Sequence, residues 1–512
     1  MQHDMNSEIK PSAPRRRSGG SSSRKERQAV APIPILKHLV CQVPTYELET
    51  REGIELIDDA AMRILETVGI TFTGAEWALD LWRSQGARVE GERAYIPREL
   101  MMQLIRTVPE EFDLHSRNPD RRVRVGGRNT VFHPQGGAYF TGFDQVRRRP
   151  VRDDLVTVTK LNHLLPAVHV TAGWPAFDLS DVPVVHRHLD QIHFPLRYSD
   201  KPLTANSYDQ ASARDAIEMV RIVYGADFVD ENAVVVTLTN CNTPLKYDGS
   251  MLEGLREFAQ AGQPVICSPF VLFGASTPPN TIGAVAQVVA EGLAGVALTQ
   301  IIRPGTPALF GIAPFGVSMK TGAPNTAIPE VAQMAYITGQ MARFYKLPLR
   351  ISGPKTGSKI ADFCAGSDSS IRAYIAILCG ANWISHCAGS LESGMQLNLG
   401  KAMLDEELMR ACYAFANGAD RKDLDICIQM MRSLGGGSHF LGEEYTLTHM
   451  PFTPELQDNE VHDSWVEAGS LSGVERGFRA AKALLERYQE PGFDPEIDAA
   501  LNAYKASRGY VV

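Results

Sequence analysis

The stretch AVVVTLT, residues 233–239, is uncharged and rich in β-branched residues, as is typical of a buried strand. Six further apolar runs are separated by helix-sized segments: AVHVTAG (167–173), PLTANS (202–207), PVICSPF (264–270), PALFGIA (307–313), LPLRISG (347–353) and ANWISHCAG (381–389). Strands that alternate with helices indicate a parallel sheet. The sequence therefore predicts an α/β fold, and we favour a TIM-type (β/α)8 barrel over an open doubly wound sheet. An eighth strand is expected near residues 438–441.

The rest of the chain is divided by composition and periodicity. Residues 1–30 are rich in Ser, Gly, Arg and Lys and are predicted to form a disordered tail. Residues 31–151 are predicted to hold N-terminal helices, at 54–68, 76–84 and 97–108, followed by β-hairpins. The barrel and its C-terminal helices are then expected to occupy residues 152–512.

Composition excludes several classes of partner. The formal net charge of −8 over 512 residues argues against nucleic acid, whose binding proteins concentrate Lys and Arg. Eight scattered cysteines without a C-x-x-C pattern predict reduced thiols in a cytoplasmic protein. We expect no membrane partner, because no stretch is expected to provide the roughly 18–20 apolar residues that span a bilayer.

The segment LRISGPKTGSKIADF, residues 349–363, superficially resembles a phosphate-binding loop. Such a loop needs four residues between its glycines and then Lys followed by Ser or Thr. Here three residues separate Gly353 from Gly357, and the order is Ser358-Lys359, so we reject that interpretation. Because function in these barrels lies on loops that follow the strands, we expect residues 353–359 to form a cavity wall.

The other predicted strand ends carry aromatic rings, amides and few charges. Such a lining suits a small cation held over aromatic faces, although for any single aromatic side chain core packing is the alternative interpretation. The predicted binding residues are Trp174, Phe177, Asn206, Asn240, Phe315, Gly353, Lys355 and His439.

Two candidate catalytic residues lie in SHCAGSLESG, where His386 and Glu392 follow one strand at a Gly-rich turn. Both are candidates for acid, base or ligand, and a structural histidine is an equal alternative for His386. His439 and Glu443 have a helical i, i+4 spacing, but Gly442 interrupts it and H-E-x-x-H is absent. We therefore expect no metal.

Several stretches together resemble the trimethylamine methyltransferase family. They are IDDAAMRILETVGITF (57–72), RAYIPRELMMQLIRTVPEEFDLHSRNPDRRVRVGG (93–127), TGFDQVRRRPVRDDLVTVTKLNHLLP (141–166), GANWISHCAGSLESG (380–394) and GGGSHFLGEEYTLTHM (435–450). The resemblance implies a (β/α)8 methyltransferase that passes a methyl group from an N-methylated amine to a corrinoid, a cobalamin-type cofactor carried by a separate small protein. It also makes a homo-oligomer plausible.

The same resemblance bears on the substrate. Family members that act on trimethylamine carry pyrrolysine at a strand end, and the matching position falls near residues 352–355. A small residue there, such as Gly353, would place this chain among the non-pyrrolysine members, some of which act on quaternary amines such as glycine betaine. A quaternary ammonium is the easier methyl donor, since its leaving group is a neutral tertiary amine.

These considerations give specific hypotheses for the site. Trp174, Phe177 and Phe315 are predicted to form a cation cage, and Lys355 or His386 to bind a substrate carboxylate. Glu392 is expected to orient His386 or to counter the ammonium charge. The alternatives are a lyase or hydrolase that uses His386 and Glu392 without a corrinoid, a non-catalytic protein that binds quaternary amines, and a metal-dependent methyltransferase.

Overall fold

The computed structural model describes residues 33–450 and 452–510, so the predicted tail at 1–30 lies outside the described residues. Its strands, in chain order, are β1 Leu39–Val40, β2 Ile70–Thr73, β3 Arg88–Glu90, β4 Arg93–Tyr95, β5 Glu111–Leu114, β6 Val123–Gly126, β7 Asn129–Phe132, β8 Tyr139–Thr141, β9 Arg147–Arg148, β10 Leu203–Thr204, β11 Val235–Thr239, β12 Lys246–Asp248, β13 Val265–Cys267, β14 Phe270–Phe273, β15 Ala308–Gly311, β16 Ala313–Val317, β17 Pro324–Asn325, β18 Leu349–Ser352, β19 Trp383–Ser385, β20 Ser390–Leu391 and β21 Gln396–Asn398.

The described α-helices surround these strands. They are Arg51–Arg63, Glu76–Ser84, Arg98–Ile105, Arg152–Leu164, Arg187–Tyr198, Gln210–Tyr224, Ala226–Glu231, Gly249–Gln260, Thr281–Ile302, Pro329–Tyr345, Phe363–Leu378, Leu399–Ala416, Leu424–Leu434, Glu444–Thr448, His462–Glu467, Gly473–Leu485 and Pro495–Ser507. The three predicted N-terminal helices are confirmed. The first continues as a π-turn, Ile64–Val68, and ends at Gly69, whose φ of 74° is the left-handed conformation that glycine favours.

A row of parallel strands forms the centre of the fold. Its order is β10-β11-β13-β15-β18-β19-β7, and every neighbouring pair in it is parallel. The interior of the row is apolar: Ile266 lies opposite Leu238 and Leu309, and all three belong to or pack against one core cluster. The predicted α/β class with a parallel sheet is confirmed.

The prediction of a strand near residues 438–441 is wrong, because that segment is exposed and contains no strand. The additional parallel strand is β7, which pairs with β19. Its sequence lies in the region that was interpreted as N-terminal hairpins, and antiparallel pairing with β6 does make it half of a hairpin. Strand β7 therefore belongs both to the parallel row and to the β6–β7 hairpin.

The run at 167–173 lies between β7 and β10 without forming a regular strand. The His169 amide donates to the Phe132 carbonyl at 2.9 Å, and the Thr171 amide donates to the Pro202 carbonyl at 2.8 Å. Thr171 pairs in parallel with Leu203. This segment therefore connects the two ends of the parallel row and leads directly into Trp174.

The smaller sheets are built mainly from loops that follow the central strands. Strands β14 and β16 follow β13 and β15 and pair with each other. Strands β20 and β21 follow β19 and pair with each other, and β21 also pairs with β8 of the hairpin β8–β9. These sheets give the loops at the carboxyl ends of the strands a fixed backbone.

Among the residues that the structure describes, one helix, Thr281–Ile302, is long and apolar enough to cross a membrane, contrary to the expectation that no stretch would be. In the structure 83% of its most apolar window is buried inside the protein. Glu291, in the middle of the helix, accepts hydrogen bonds from the Thr243 hydroxyl and the Leu245 amide. The apolar composition of this helix is therefore explained by its burial in the core of the protein.

Candidate functional site

A cavity of about 360 Å³ lies at the carboxyl ends of the central strands. Its walls combine aromatic, thioether, amide and cationic side chains, and no Asp or Glu is among its lining residues. The side chains that line it include Trp174, Asn206, Tyr208, Asn240, Met251, Phe270, Arg350, Lys355, His386, Ser393 and Met395. Of the predicted site residues, it brings together Trp174, Asn206, Asn240, Lys355 and His386.

Trp174 forms a rigid aromatic wall. One face of its indole stacks on the imidazole of His133, with ring centroids 4.3 Å apart, and the side chain is only 3% exposed. The backbone next to Trp174 packs closely against Gly136, because a Cβ on Gly136 would lie 1.9 Å from the Pro175 carbonyl oxygen. A larger residue than glycine would displace the indole.

The other two predicted cage aromatics do not line this cavity. Phe315 is buried, and the ammonium of Lys355 lies 4.4 Å from its ring centroid, so Phe315 supports Lys355. Phe177 packs against Phe140 and lines a neighbouring depression. Their places are taken by Phe270, which packs on Phe315, and by Tyr208, which was missed although it follows the β10 strand end.

Arg350 is a cavity residue that was not among the predicted site residues. It lies within β18, is 2% exposed, and donates to the hydroxyls of Ser385 at 3.0 Å and Ser268 at 3.3 Å. Burial lowers the pKa of Arg350 to about 10, with a contribution from Arg372. A charged residue inside the apolar run LPLRISG was the available sequence signal.

Lys355 lies beside Arg350 without an acidic neighbour. Within residues 33–450 and 452–510, neither side chain forms an ion pair, and Lys355 Nζ has no hydrogen-bond acceptor. Burial, together with the charges of Arg350 and Arg372, holds the pKa of Lys355 well below its usual range. The cavity therefore offers cationic donors that nothing in the described protein neutralises.

His386 lines the same cavity as Lys355 and Arg350. It has a left-handed backbone with φ 68°, and its buried Nδ1 makes no hydrogen bond within the described chain. Burial, followed by the charges of Lys355 and Arg350, holds its pKa well below the usual range. The turn after it is anchored where the Gly389 amide donates to Asp405 at 2.8 Å.

Glu392 is paired with Arg147 rather than with His386. The two side chains form a bidentate contact, with Nε–Oε1 at 2.5 Å and Nη2–Oε2 at 2.7 Å. The guanidinium also lies 3.5 Å from the Tyr139 ring centroid. Glu392 and the following Ser393 both have left-handed φ values, 50° and 57°, which non-glycine residues adopt only when neighbouring contacts hold them.

Two loops are joined into one wall next to Lys355. The Glu392 amide donates to the Ser358 carbonyl at 2.9 Å, and the Ser393 amide donates to the Thr356 carbonyl at 2.7 Å. The segment 353–359 thus lies against the segment 390–395, and both contribute side chains to the cavity. We call this pair of segments the two-loop wall.

The remaining predicted residues lie elsewhere. The Gly353 amide donates to the Ser385 carbonyl at 2.8 Å, and a Cβ on Gly353 would lie 2.5 Å from the Ile384 methyl carbon. His439 is exposed and does not line the cavity. Across the described residues, no group of three or more His, Cys, Asp or Glu side chains is placed to hold a metal ion.

Comparison with known proteins identifies the family. The family model described as trimethylamine methyltransferase matches residues 16–510. A glycine betaine methyltransferase of Desulfitobacterium hafniense is 34% identical over 91% of this chain and 98% of its own. The chain therefore belongs to the trimethylamine methyltransferase family.

Two further relatives have different substrates in their names. A trimethylamine methyltransferase of Desulfitobacterium hafniense is 24% identical over 88% of this chain and 92% of its own. A proline betaine:corrinoid methyltransferase of Eubacterium limosum is 26% identical over 74% of this chain and 79% of its own. Of the three relatives, the one named for glycine betaine shares the most residues with this chain.

The Arg147–Glu392 pair makes a testable contribution to the two-loop wall. In Arg147→Gln we expect amide hydrogen exchange in residues 388–398 to accelerate about tenfold, because the left-handed residues lose their main restraint. Hydrogen–deuterium exchange mass spectrometry of the peptide measures this. Arg124→Gln is the matched control, since Arg124 makes a similar bidentate pair with Asp113. Equal exchange in the two variants would contradict the proposed restraint.

Proposed function

We propose that this protein transfers a methyl group from a quaternary ammonium carboxylate, such as glycine betaine, to the corrinoid of a partner protein. The observation that carries the proposal is the combination of side chains in the cavity lining. Aromatic and thioether side chains share the lining with Arg350 and Lys355, which have no acidic partners within the described residues. A betaine has the complementary pair of charges.

The ammonium end of the substrate is assigned to the aromatic wall. Trp174, Tyr208 and Phe270 supply ring faces and edges, and Met251 and Met395 supply polarisable sulfur. A trimethylammonium group carries its charge on methyl groups that cannot donate a strong hydrogen bond, so it is well suited to such surfaces. The absence of a carboxylate from the lining favours aromatic contact over ion pairing at this end.

The carboxylate end is assigned to Arg350 and Lys355. Arg350 spends its Nε and one Nη on serine hydroxyls and a carbonyl, and these bonds fix the plane of the guanidinium. A carboxylate between Arg350 and Lys355 would receive charge-assisted hydrogen bonds and would compensate the buried charge of both. A substrate without a carboxylate would leave both cations uncompensated.

The chemistry asks for positioning rather than for an acid or base. The C–N bond breaks with its electron pair going to nitrogen, which leaves as a neutral tertiary amine. The reduced cobalt of the acceptor supplies the electron pair for the new Co–C bond and rises from Co(I) to Co(III). No proton is transferred, so the pairing of Glu392 with Arg147 is compatible with this reaction. The cavity residues hold the methyl group in line and exclude water.

The rim of the cavity suits a flat macrocycle as methyl acceptor. Tyr208, Phe270 and Met395 are each between 40% and 51% exposed while they line the cavity, so they offer an apolar edge. We also propose that the segment 167–173 closes the parallel row into a complete (β/α)8 barrel, whose mouth is this rim. Reaction with a strongly reducing corrinoid is consistent with a cytoplasmic protein, and all eight cysteines are free thiols.

The same cavity favours a non-pyrrolysine member of the family. Gly353 lies near the position expected to match pyrrolysine, and it is buried against Ile384 and Ser385. A glycine without a side chain fills this place. A corrinoid-independent lyase or hydrolase would need His386 and Glu392 to act together, and no hydrogen bond joins them in the described residues. A non-catalytic amine-binding protein is the second candidate, because the same cavity would serve binding alone.

A spectral assay tests the proposal. Purified protein is mixed with Co(I) cobalamin, free or bound to the cognate corrinoid protein, and the absorbance of the methylated product is followed. We expect transfer from glycine betaine to exceed transfer from choline, tetramethylammonium or trimethylamine by about 100-fold, because these leave the buried cations unpaired. Tight betaine binding without transfer to either acceptor would instead establish the binding protein.

Lys355→Met tests the carboxylate end. The substitution keeps the length of the side chain and removes its charge, so we expect betaine affinity to fall roughly 10- to 100-fold. Binding of tetramethylammonium should be unchanged or stronger, because it lacks a carboxylate. Calorimetric titration measures both affinities, and Lys359→Met, at an exposed lysine on the same loop, is the control. An equal loss for both ligands would remove Lys355 from the carboxylate site.

Betaine binding should also take up protons. In the free protein the pKa of Lys355 is held well below its usual range, and a bound carboxylate would raise it again. Between the two pKa values binding therefore adds a proton, and affinity should decrease as pH rises through that interval. Calorimetry in buffers of different ionisation enthalpy measures the uptake. Loss of the proton uptake in Lys355→Met would identify Lys355 as the group that takes the proton. Loss of the uptake in His386→Gln would instead identify His386.

A further inference from the structure

A long segment near the C-terminus has no packed environment in the described chain. None of residues 419–450 is buried, whereas Cys412 and Ala416 just before it are fully buried. The hydrogen bonds recorded for this segment, including those of its two helices, join residues of the segment itself. We call residues 419–450 the arm.

The arm exposes more apolar surface than a free surface segment normally does. Its large apolar residues with at least 38% exposure are Leu424, Ile426, Ile428, Met431, Phe440, Leu441, Leu447 and Met450. With up to roughly 200 Å² for each such residue, they leave on the order of 900 Å² uncovered, compared with about 800 Å² per partner in a standard interface. A surface of this size is what a stable protein contact requires.

The helix Leu424–Leu434 arranges part of this surface as a stripe. Leu424, Cys427, Ile428, Met431 and Leu434 recur at the i, i+3, i+4 and i+7 spacing that places residues on one helix face. Asp425 and Arg432 border this stripe along one flank, and Gln429, Ser433 and Ile426 face away from it. None of the helix residues is buried, so the stripe is not used within the chain.

The charges beside the stripe have a self-complementary order. Asp425 and Arg432 lie seven residues apart, two turns along one flank, and their midpoint falls between Ile428 and Gln429, near the centre of the helix. Neither forms an ion pair within the described ranges. If a second identical helix packs antiparallel about that centre, each Asp425 meets the Arg432 of the other copy.

We propose that the arm is a self-association surface through which two copies of this chain form a two-fold symmetric dimer. The helices Leu424–Leu434 of the two copies pack antiparallel with their apolar stripes in contact. Asp425 of each copy pairs with Arg432 of the other and fixes the direction and register of the helices. The stripe and the other exposed apolar residues of the arm together supply the buried area, and the ion pairs supply specificity.

Sedimentation velocity on the full chain at about 1 to 100 µM tests the dimer, since its population follows mass action. We expect the wild type to be dimeric and each of Asp425→Arg and Arg432→Asp to weaken dimerisation at least about tenfold, because like charges then face each other. The double variant Asp425→Arg/Arg432→Asp should restore the dimer. Asp425 and Arg432 are both exposed, so circular dichroism and betaine affinity should be unchanged.

Asp59→Arg, at an exposed acidic residue in another helix, is the matched control and should leave the dimer intact. A monomeric wild type would overturn the proposal, as would a dimer that neither single variant weakens. If the wild type is monomeric and the single variants impair methylation of the protein-bound but not the free corrinoid, the arm instead binds the corrinoid protein. Rescue by the double variant distinguishes direct pairing from a general effect of charge.

Discussion

The burial of Arg350 and Lys355 without an acidic partner is the constraint around which the cavity is organised. Taking such charges out of water costs several kcal/mol for each ion unless hydrogen bonds or counter-charges compensate. The protein supplies part of that compensation, with serine hydroxyls on Arg350 and the Phe315 ring beside Lys355. A substrate carboxylate would supply the rest of the compensation. The unfavourable burial of these charges would therefore favour a zwitterionic substrate over one without a carboxylate.

The two-loop wall keeps those cations in place. Lys355 lies on one loop, and the other is held in a left-handed conformation by Arg147 and by amide contacts to Ser358 and Thr356. Arg147 itself comes from the hairpin β8–β9, far earlier in the chain. The N-terminal part of the protein therefore contributes to the geometry of a cavity that is formed mainly by loops after the central strands.

Much of the fold could be predicted from local patterns. Six of the seven apolar runs contain strands of the central row, and the helices near residues 51, 76 and 98 were placed correctly. The strand that was not predicted as part of the parallel row, β7, is short and is followed by Gly-rich sequence. These features are typical of a hairpin, and β7 does pair with β6, so its parallel pairing with β19 was not predicted. Partner choice depends on residues hundreds of positions away, such as Trp383 opposite Val131, which no local pattern records.

The site was predictable to the level of strand ends. Because parallel strands end at one edge, Trp174, Asn206, Asn240, Lys355 and His386 could be placed together before any coordinates. The directions in which the side chains point could not be predicted. Phe315 lies under Lys355 instead of lining the cavity, and Glu392 pairs with Arg147 instead of with His386. The sequence by itself determined the alternation of strands and helices and the family, because these follow from hydrophobic period and motif. Only the tertiary structure decided which side chains share the cavity, because that depends on long-range packing and on which charges are left without partners.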